Sequence, residues 1–338
     1  MTSTVDNDAF LAISAFGRHV TITVSSGDIF LAPVDAIALK YAQTAHGTDR
    51  EALHRLRMSE KDPELPPPGT SLEVASGGSA RANTILLIGT VPISQFDYAQ
   101  IRDFTRRAVL ATATSKHRIS DLALTVHGVG TGLDETEAFK AQLAGMVDVL
   151  RDSAWPEDLT RITIVERDVK RADRLARMLI DIPPQAISDQ PRKGAYQLGS
   201  FESAGVGSRD KPHVFVVMPI NPDTEDRYYY GIGPAVRAAG FLCERIDIKA
   251  FTGDIMSTIR QRIASAAFVV ADLSGANPNV YLEVGYAWGR GVPTILLCGA
   301  VEELAFDVRG EKCLLFKSIK ALETALSAEL EILAKQRQ

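Results

Sequence analysis

The feature that most constrains this chain is a recurrence of short apolar runs separated by helix-length amphipathic stretches. In the second half, "HVFVVMPI", "FLCERI", "AFVVADL" and "PTILLCG" are interleaved with "YYYGIGPAVRAAG", "GDIMSTIRQRIASA", "NVYLEVGYAWGRG" and "SIKALETALSAELEILAK". Runs that are apolar at successive positions must be covered on both faces, which implies strands of a mainly parallel sheet flanked by helices. The first half repeats the pattern with "VTITVSS", "DAIALKY", "NTILLIGT", "DLALTVHGV" and "RITIVER", and with helical "DYAQIRDFTRRAVLATATS" and "DETEAFKAQLAGMVDVLRDS". The expected fold class is therefore α/β, as two α/β domains. The stretch "HRLRMSEKDPELPPPGTSLEVASGGSARA" breaks the pattern and reads as loops and a short hairpin, and the opening "MTSTVDNDAF" reads as a frayed terminus.

A chain of 338 residues accommodates two domains of ordinary size. The Pro-, Gly- and Ser-rich stretch from Asp181 to Pro212 is the natural boundary. We expect a first domain over 15–182, a linker over 183–210 and a second domain over 211–335. A net charge of −5 offers no general attraction to nucleic acid or anionic lipid. Cys243, Cys298 and Cys313 are isolated and show no ligand spacing with histidine, so no metal site is expected. Without a signal peptide or an apolar run of 18 residues, the chain reads as cytoplasmic.

In an open parallel sheet, ligands sit at the carboxyl ends of strands. In the second half those ends carry Met218 and Pro219, the polar and aromatic "NPDTEDRYYY", Asp272, and then Asn277, Asn279 and Glu283. Asn277 fits a helix N-cap with Pro278 at the first helical position. Glu283 then falls about one and a half turns in, on the apolar side with Val280 and Ala287. A carboxylate buried there is costly without partners. It is either a desolvated nucleophile or base, or one half of a buried ion pair. Tyr228, Tyr229 and Tyr230 could stack on a base or could form a helix start. Asp254 could cap a helix or contact a ribose. Arg245 and Asp247 could reach a phosphate or pair with each other. Trp288 reads as core or interface, Asp307 as structural, and His213 as a solvated edge residue.

The string "ADLSGANPNVYLEVGYAWGRGVPTILL", with the "VMPI" strand and the "GDIMSTIRQRIASA" helix, resembles the nucleoside 2-deoxyribosyltransferase-like superfamily, which is related to TIR-type domains. The resemblance spans roughly Lys211 to Lys317. It implies a flavodoxin-like parallel sheet. It also implies that Glu283 attacks or stabilises an anomeric carbon while Asp272 contacts base or ribose. Met218, Pro219, Tyr229, Tyr230, Asp254, Asn277 and Asn279 would complete the substrate site.

The first half contains "VSSGDIFLAPVDAIALKYA" and "LTVHGVGTGLDETEAFKAQLAGMVDVL". Gly128, Gly130 and Gly132 form a glycine-rich turn between strand and helix. Such a turn can let backbone N–H groups approach a phosphate, and it can equally be an ordinary turn. Together the two stretches resemble a macro domain over roughly Arg18 to Ile180. The resemblance implies a three-layer nucleotide-binding fold, with Asp28 and Ile29 at the adenine and Gly128, Gly130, Thr131 and Gly132 at the phosphates. Where that family has "V-N-A-A-N", this chain has "ALKYAQ", with Lys40 and Gln43 in the small and amide positions. That departure argues for nucleotide binding, or a structural role, over ADP-ribose hydrolysis.

The combined resemblance implies a nucleotide N-glycosidase effector that cleaves NAD or another nucleotide or nucleoside. It would be controlled by a nucleotide signal in bacterial antiphage defence and would form ligand-dependent homo-oligomers or filaments. No cofactor is required, because NAD or a nucleotide is the substrate. Neither membrane nor nucleic acid is an expected partner. The competing readings are a non-catalytic nucleotide receptor or scaffold, and a salvage deoxyribosyltransferase.

Overall fold

The structure is a computed structural model that describes residues 10–45, 47–129, 132–182, 203–246, 255–300 and 304–336. It divides into two units, Met1–Val129 with Glu135–Ser208, and Gly130–Asp134 with Arg209–Gln338. Both are α/β, one built on a mixed sheet and one on a parallel sheet.

The first unit has seven strands: β1 (Phe10–Ala15), β2 (Arg18–Ser26), β3 (Ala36–Tyr41), β4 (Ser71–Ala75), β5 (Thr84–Gly89), β6 (Asp121–Thr125) and β7 (Arg161–Glu166). Their order is β1-β2-β7-β6-β3-β5-β4. The five inner strands run parallel, while β1 and β4 pair antiparallel with β2 and β5. Helices α1 (Thr48–Leu56), α2 (Tyr98–Ala113), α3 (Glu135–Arg151) and α4 (Val169–Ile180) complete the unit.

Every residue of β3 and β5 is buried, as their unbroken apolar runs demand. Ala36 and Ala38 face a core with Phe104 and Phe139, whereas Ile37 and Leu39 face another with Phe30 and Leu53. Helices α2 and α3 approach closely at Gly145, where an added Cβ would strike the Arg102 carbonyl. Of the opening stretch expected to fray, residues 1–9 lie outside the described residues, and Phe10 opens β1. It turns into β2 through Phe16 and Gly17, both at positive φ. Within the stretch expected to hold loops and a short hairpin, the single strand β4 pairs antiparallel with β5, which lies beyond it.

Residues 203–208, expected within the linker, pack on the first unit. The Arg102 guanidinium donates to the Ala204 carbonyl at 2.8 Å, and the Ser208 hydroxyl donates to Glu137 at 2.6 Å.

The second unit has β8 (His213–Val217), β9 (Leu242–Glu244), β10 (Phe268–Asp272), β11 (Thr294–Cys298) and β12 (Cys313–Leu315), all parallel. Its helices are α5 (Pro222–Arg227), α6 (Gly233–Ala238), α7 (Ile255–Ser265), α8 (Pro278–Gly289) and α9 (Ile319–Gln336). The order β9-β8-β10-β11-β12 places the first strand between the second and third. The connection leaving β8 therefore runs to one side and that leaving β10 to the other, so the strand order reverses between β8 and β10, the position at which open α/β sheets bind ligands. Val214 and Val216 face one core, and Phe215 and Val217 the other. His213 begins this inner strand instead of an edge. Its ring lies 3.0 Å from the Arg262 carbonyl. Among the described residues, no helix is long and apolar enough to cross a membrane.

Candidate functional site

In the second unit, β8 ends at buried Met218 and half-buried Pro219, whose carbonyl accepts from the Thr224 hydroxyl at 2.6 Å. Asn221 caps α5 by accepting from the Asp223 and Thr224 amides, with Pro222 at the first helical position. This short helix delivers Arg227 to the neighbouring strand end, where Nη1 donates to Asp272 Oδ2 at 3.0 Å. Asp272 has no exposed surface. Its Oδ1 accepts from the Ser274 amide at 3.0 Å, and the Ser274 hydroxyl in turn accepts from the Gly299 amide at 3.0 Å. Both oxygens of Asp272 are thus engaged, one by a cation and one by the loop that follows it. The Arg227 guanidinium also lies over the Phe316 ring, 5.3 Å from its centroid.

That loop turns through Gly275 and Ala276, both at positive φ, into α8. Asn277 caps the helix by accepting from the Asn279 amide at 2.9 Å. Asn277 is half-buried and Asn279 exposed. Val280, Val284 and Ala287 form the core-facing stripe of α8. Glu283 sits at the margin of that stripe, one turn from Val280 and Ala287, and is half-buried. Among the described residues it makes no hydrogen bond and no ion pair. Burial alone pushes its carboxyl up to about 7. A carboxyl poised near neutrality with no partner can accept a proton, or face a developing cation at neutral pH.

The expected aromatic loop is helical. α5 runs through a single π-helical turn, Tyr228–Ile232, into α6. Tyr228 is a core residue whose hydroxyl donates to the Cys243 carbonyl at 3.0 Å. Tyr229 is half-buried and meets the Tyr228 ring edge-on, and Tyr230 is exposed. Arg245 pairs with Glu225 at 2.7 Å and lies 4.1 Å from the Tyr228 ring centroid. Asp247 and Asp254 lie outside the described residues. Also in this unit, Asp134 is fully buried and accepts from the Cys243 amide at 2.9 Å and from Arg237 at 3.2 Å. An added Cβ on Gly132 would lie 3.2 Å from Ile246 Cγ1, so this glycine admits close packing.

In the first unit, Asp28 accepts from the Phe30 amide at 3.1 Å, capping a short turn that buries Ile29. Arg167 binds the same carboxylate at 3.1 Å, and Arg55 lies 3.8 Å away. Burial raises the Asp28 carboxyl, but the hydrogen bonds from Arg167 and Phe30 outweigh it and hold the group below its ordinary range. Gly128 adopts the positive φ that favours glycine. Gly130 and Thr131 lie outside the described residues.

The "ALKYAQ" departure proves informative. Lys40 donates to Asp49 at 2.9 Å, and both are buried. Burial raises the Asp49 carboxyl despite the opposing Lys40 charge. His127, buried against Phe104 and Phe96, is held well below its usual value, first by burial and then by Lys40. Gln43, at φ 64°, donates to the Thr90 carbonyl at 3.0 Å and ties loops together. Sequence reasoning missed Asp49, His127 and Arg227. Lys40 was marked by its departure from the expected motif. Nothing local marked Arg227, whose partner is 45 residues away in the chain.

No protein-family model matches the chain, and no curated protein matches it. Among solved structures, the first half matches the Oceanobacillus iheyensis macrodomain with MES bound. That match has 15% identity and a TM-score of 0.40, covering 50% of this chain and 95% of that one. A mutant of the same macrodomain with ADPR matches at 16% identity and TM-score 0.39, covering 50% and 96%. A tomato leucine aminopeptidase mutant matches over 96% of this chain and 90% of its own, at 10% identity and TM-score 0.37.

Proposed function

We propose that the second unit is an N-glycosidase acting on a nucleotide or nucleoside such as NAD. The observation that carries the reading is Glu283: a half-buried carboxyl with no partner among the described residues, pushed up to about 7 by burial, on the helix that follows the end of β10. Breaking the bond from C1′ to the base nitrogen sends the electron pair out with the base and leaves an oxocarbenium-like sugar. A dry carboxylate either bonds to C1′ or stabilises that cation electrostatically. Water then adds at C1′ and its proton leaves to the carboxylate or to solvent. Asp272, engaged by Arg227 and Ser274, acts as a positioning residue that orders the guanidinium and the loop before α8.

The first unit takes the part of a nucleotide-binding domain in this reading, with Asp28, Ile29 and the turn around Gly128 as the ligand end. The whole protein is then a nucleotide-responsive effector of antiphage type, working as a homo-oligomer. The test is incubation of pure full-length protein with NAD and free nucleosides, with and without ADP-ribose-type and cyclic nucleotides. Product should appear with wild type and be absent with Glu283→Gln. Identical behaviour of the two proteins under every condition refutes the proposal. A second reading, nucleotide recognition without catalysis, is favoured by the complete engagement of the Asp272 oxygens, which leaves Glu283 as the lone reactive carboxyl in this proposal.

A further inference from the structure

Arg227 is an unfinished ion pair. A guanidinium offers five N–H donors, and its Nε and Nη2 hydrogens form a planar fork that fits a carboxylate or phosphate two-for-two. Two arginines of the first unit close that fork, whereas Arg237 meets Asp134 through Nη1 alone. Arg102 grips Asp148 through Nε and Nη2, both at 2.6 Å, and Arg174 grips Glu135 through the same atoms, both at 2.8 Å. Arg227 differs. Its single contact to Asp272 uses Nη1, and among the described residues Nε and Nη2 have no partner. The side chain is nevertheless fixed, by a fully buried carboxylate at one end and the Phe316 face beside it, and is 26% exposed. It stands at the carboxyl end of β10 beside β8, where the strand order reverses.

We infer that Arg227 receives a phosphate group of the substrate through this open fork, so that the second unit acts on nucleotides in preference to unphosphorylated nucleosides. The inference rests on the glycosidase reading and narrows its substrate class. Asp272 holds the guanidinium in one orientation, which lowers the ordering cost of closing the fork on an anion. Because the Arg227–Asp272 pair is neutral in sum, recognition comes from directed hydrogen bonds and not from net charge. A lysine, a point charge without the fork, is a poor substitute.

The experiment measures binding and turnover of a nucleoside, its 5′-monophosphate, NAD and inorganic phosphate by full-length protein. Binding is measured in the Glu283→Gln background to prevent turnover. The quantity read is the change caused by replacing Arg227, which ligand bound elsewhere in the chain does not alter. We expect Arg227→Gln to weaken the phosphorylated ligands by at least about tenfold while leaving the nucleoside unchanged, and Arg227→Lys to recover only part. Turnover should lose kcat/KM for the nucleotide chiefly through KM. Since Arg227→Gln strands Asp272 in the interior, the Arg227→Gln/Asp272→Asn double variant, checked for folding by tryptophan fluorescence, must show the same selective loss. Equal losses for nucleoside and nucleotide, or none for either, overturn the inference. Selective phosphate loss without Glu283-dependent turnover upholds Arg227 and sinks the glycosidase. Turnover without phosphate selectivity does the reverse.

Discussion

Glu283 makes a prediction that needs no substrate. Its carboxyl rises from an ordinary 4.5 to about 7 on folding because burial penalises the charged form. A raised folded value means the folded protein holds the proton more tightly than the unfolded chain. The associated stability is therefore complete below about pH 4.5 and is lost as pH climbs through about 7. A shift of about 2.5 units corresponds to roughly 3 kcal/mol. Glu283→Gln places a neutral isostere at the same position and does not ionise. Relative to wild type, the variant should gain about 1 kcal/mol at pH 5 and about 3 kcal/mol at pH 8.

The assay is urea unfolding of the full chain at half-unit pH steps from 5 to 9. It follows Trp288 in a Trp155→Phe background, since the chain holds two tryptophans and only Trp288 lies in the second unit. A gain independent of pH would mean that Glu283 titrates normally and is solvated, and the argument for a desolvated reactive carboxyl would fail.

The same group should govern the rate. If the ionised form works on C1′, kcat/KM should rise about tenfold between pH 6 and pH 8 with an apparent pKa near 7; a falling limb there would assign Glu283 as an acid instead. In the first unit, Lys40→Met leaves Asp49 buried without its cation and should cost about 3–5 kcal/mol, while Lys40→Met/Asp49→Leu should recover most of it in thermal unfolding. Gly145→Ala drives a methyl into the Arg102 carbonyl and should destabilise by about 3 kcal/mol, read as a fall in the unfolding midpoint of the first unit.

The parts of this architecture that sequence reveals are those set by periodicity. The runs "VFVV", "FVVA" and "TILLIG" are apolar at successive positions because layers cover both faces of their strands, and no other placement hides them. The edges are harder. β1 has a polar or exposed residue at every second position, and α1, "TDREALHRL", is mostly polar, so neither stands out from a loop. Side-chain partnerships are harder still, because they join residues that no local pattern links. Lys40 and Asp49 meet across β3 and α1, and Arg227 reaches Asp272 on β10 from the helix that follows β8.

Glu283 combines both kinds of information. Its place on a helix, at the margin of an apolar stripe, follows from the spacing of Val280, Val284 and Ala287. Its poise near neutrality depends on what does not reach it. Arg227, the cation at the nearby strand end, is held by Asp272, and no basic group among the described residues pairs with Glu283. Burial is the cause of its shift, and no charged neighbour among the described residues offsets it. A basic side chain placed beside Glu283, as in Leu282→Arg, is the perturbation that would lower its carboxyl toward the ordinary range and flatten the pH dependence predicted above.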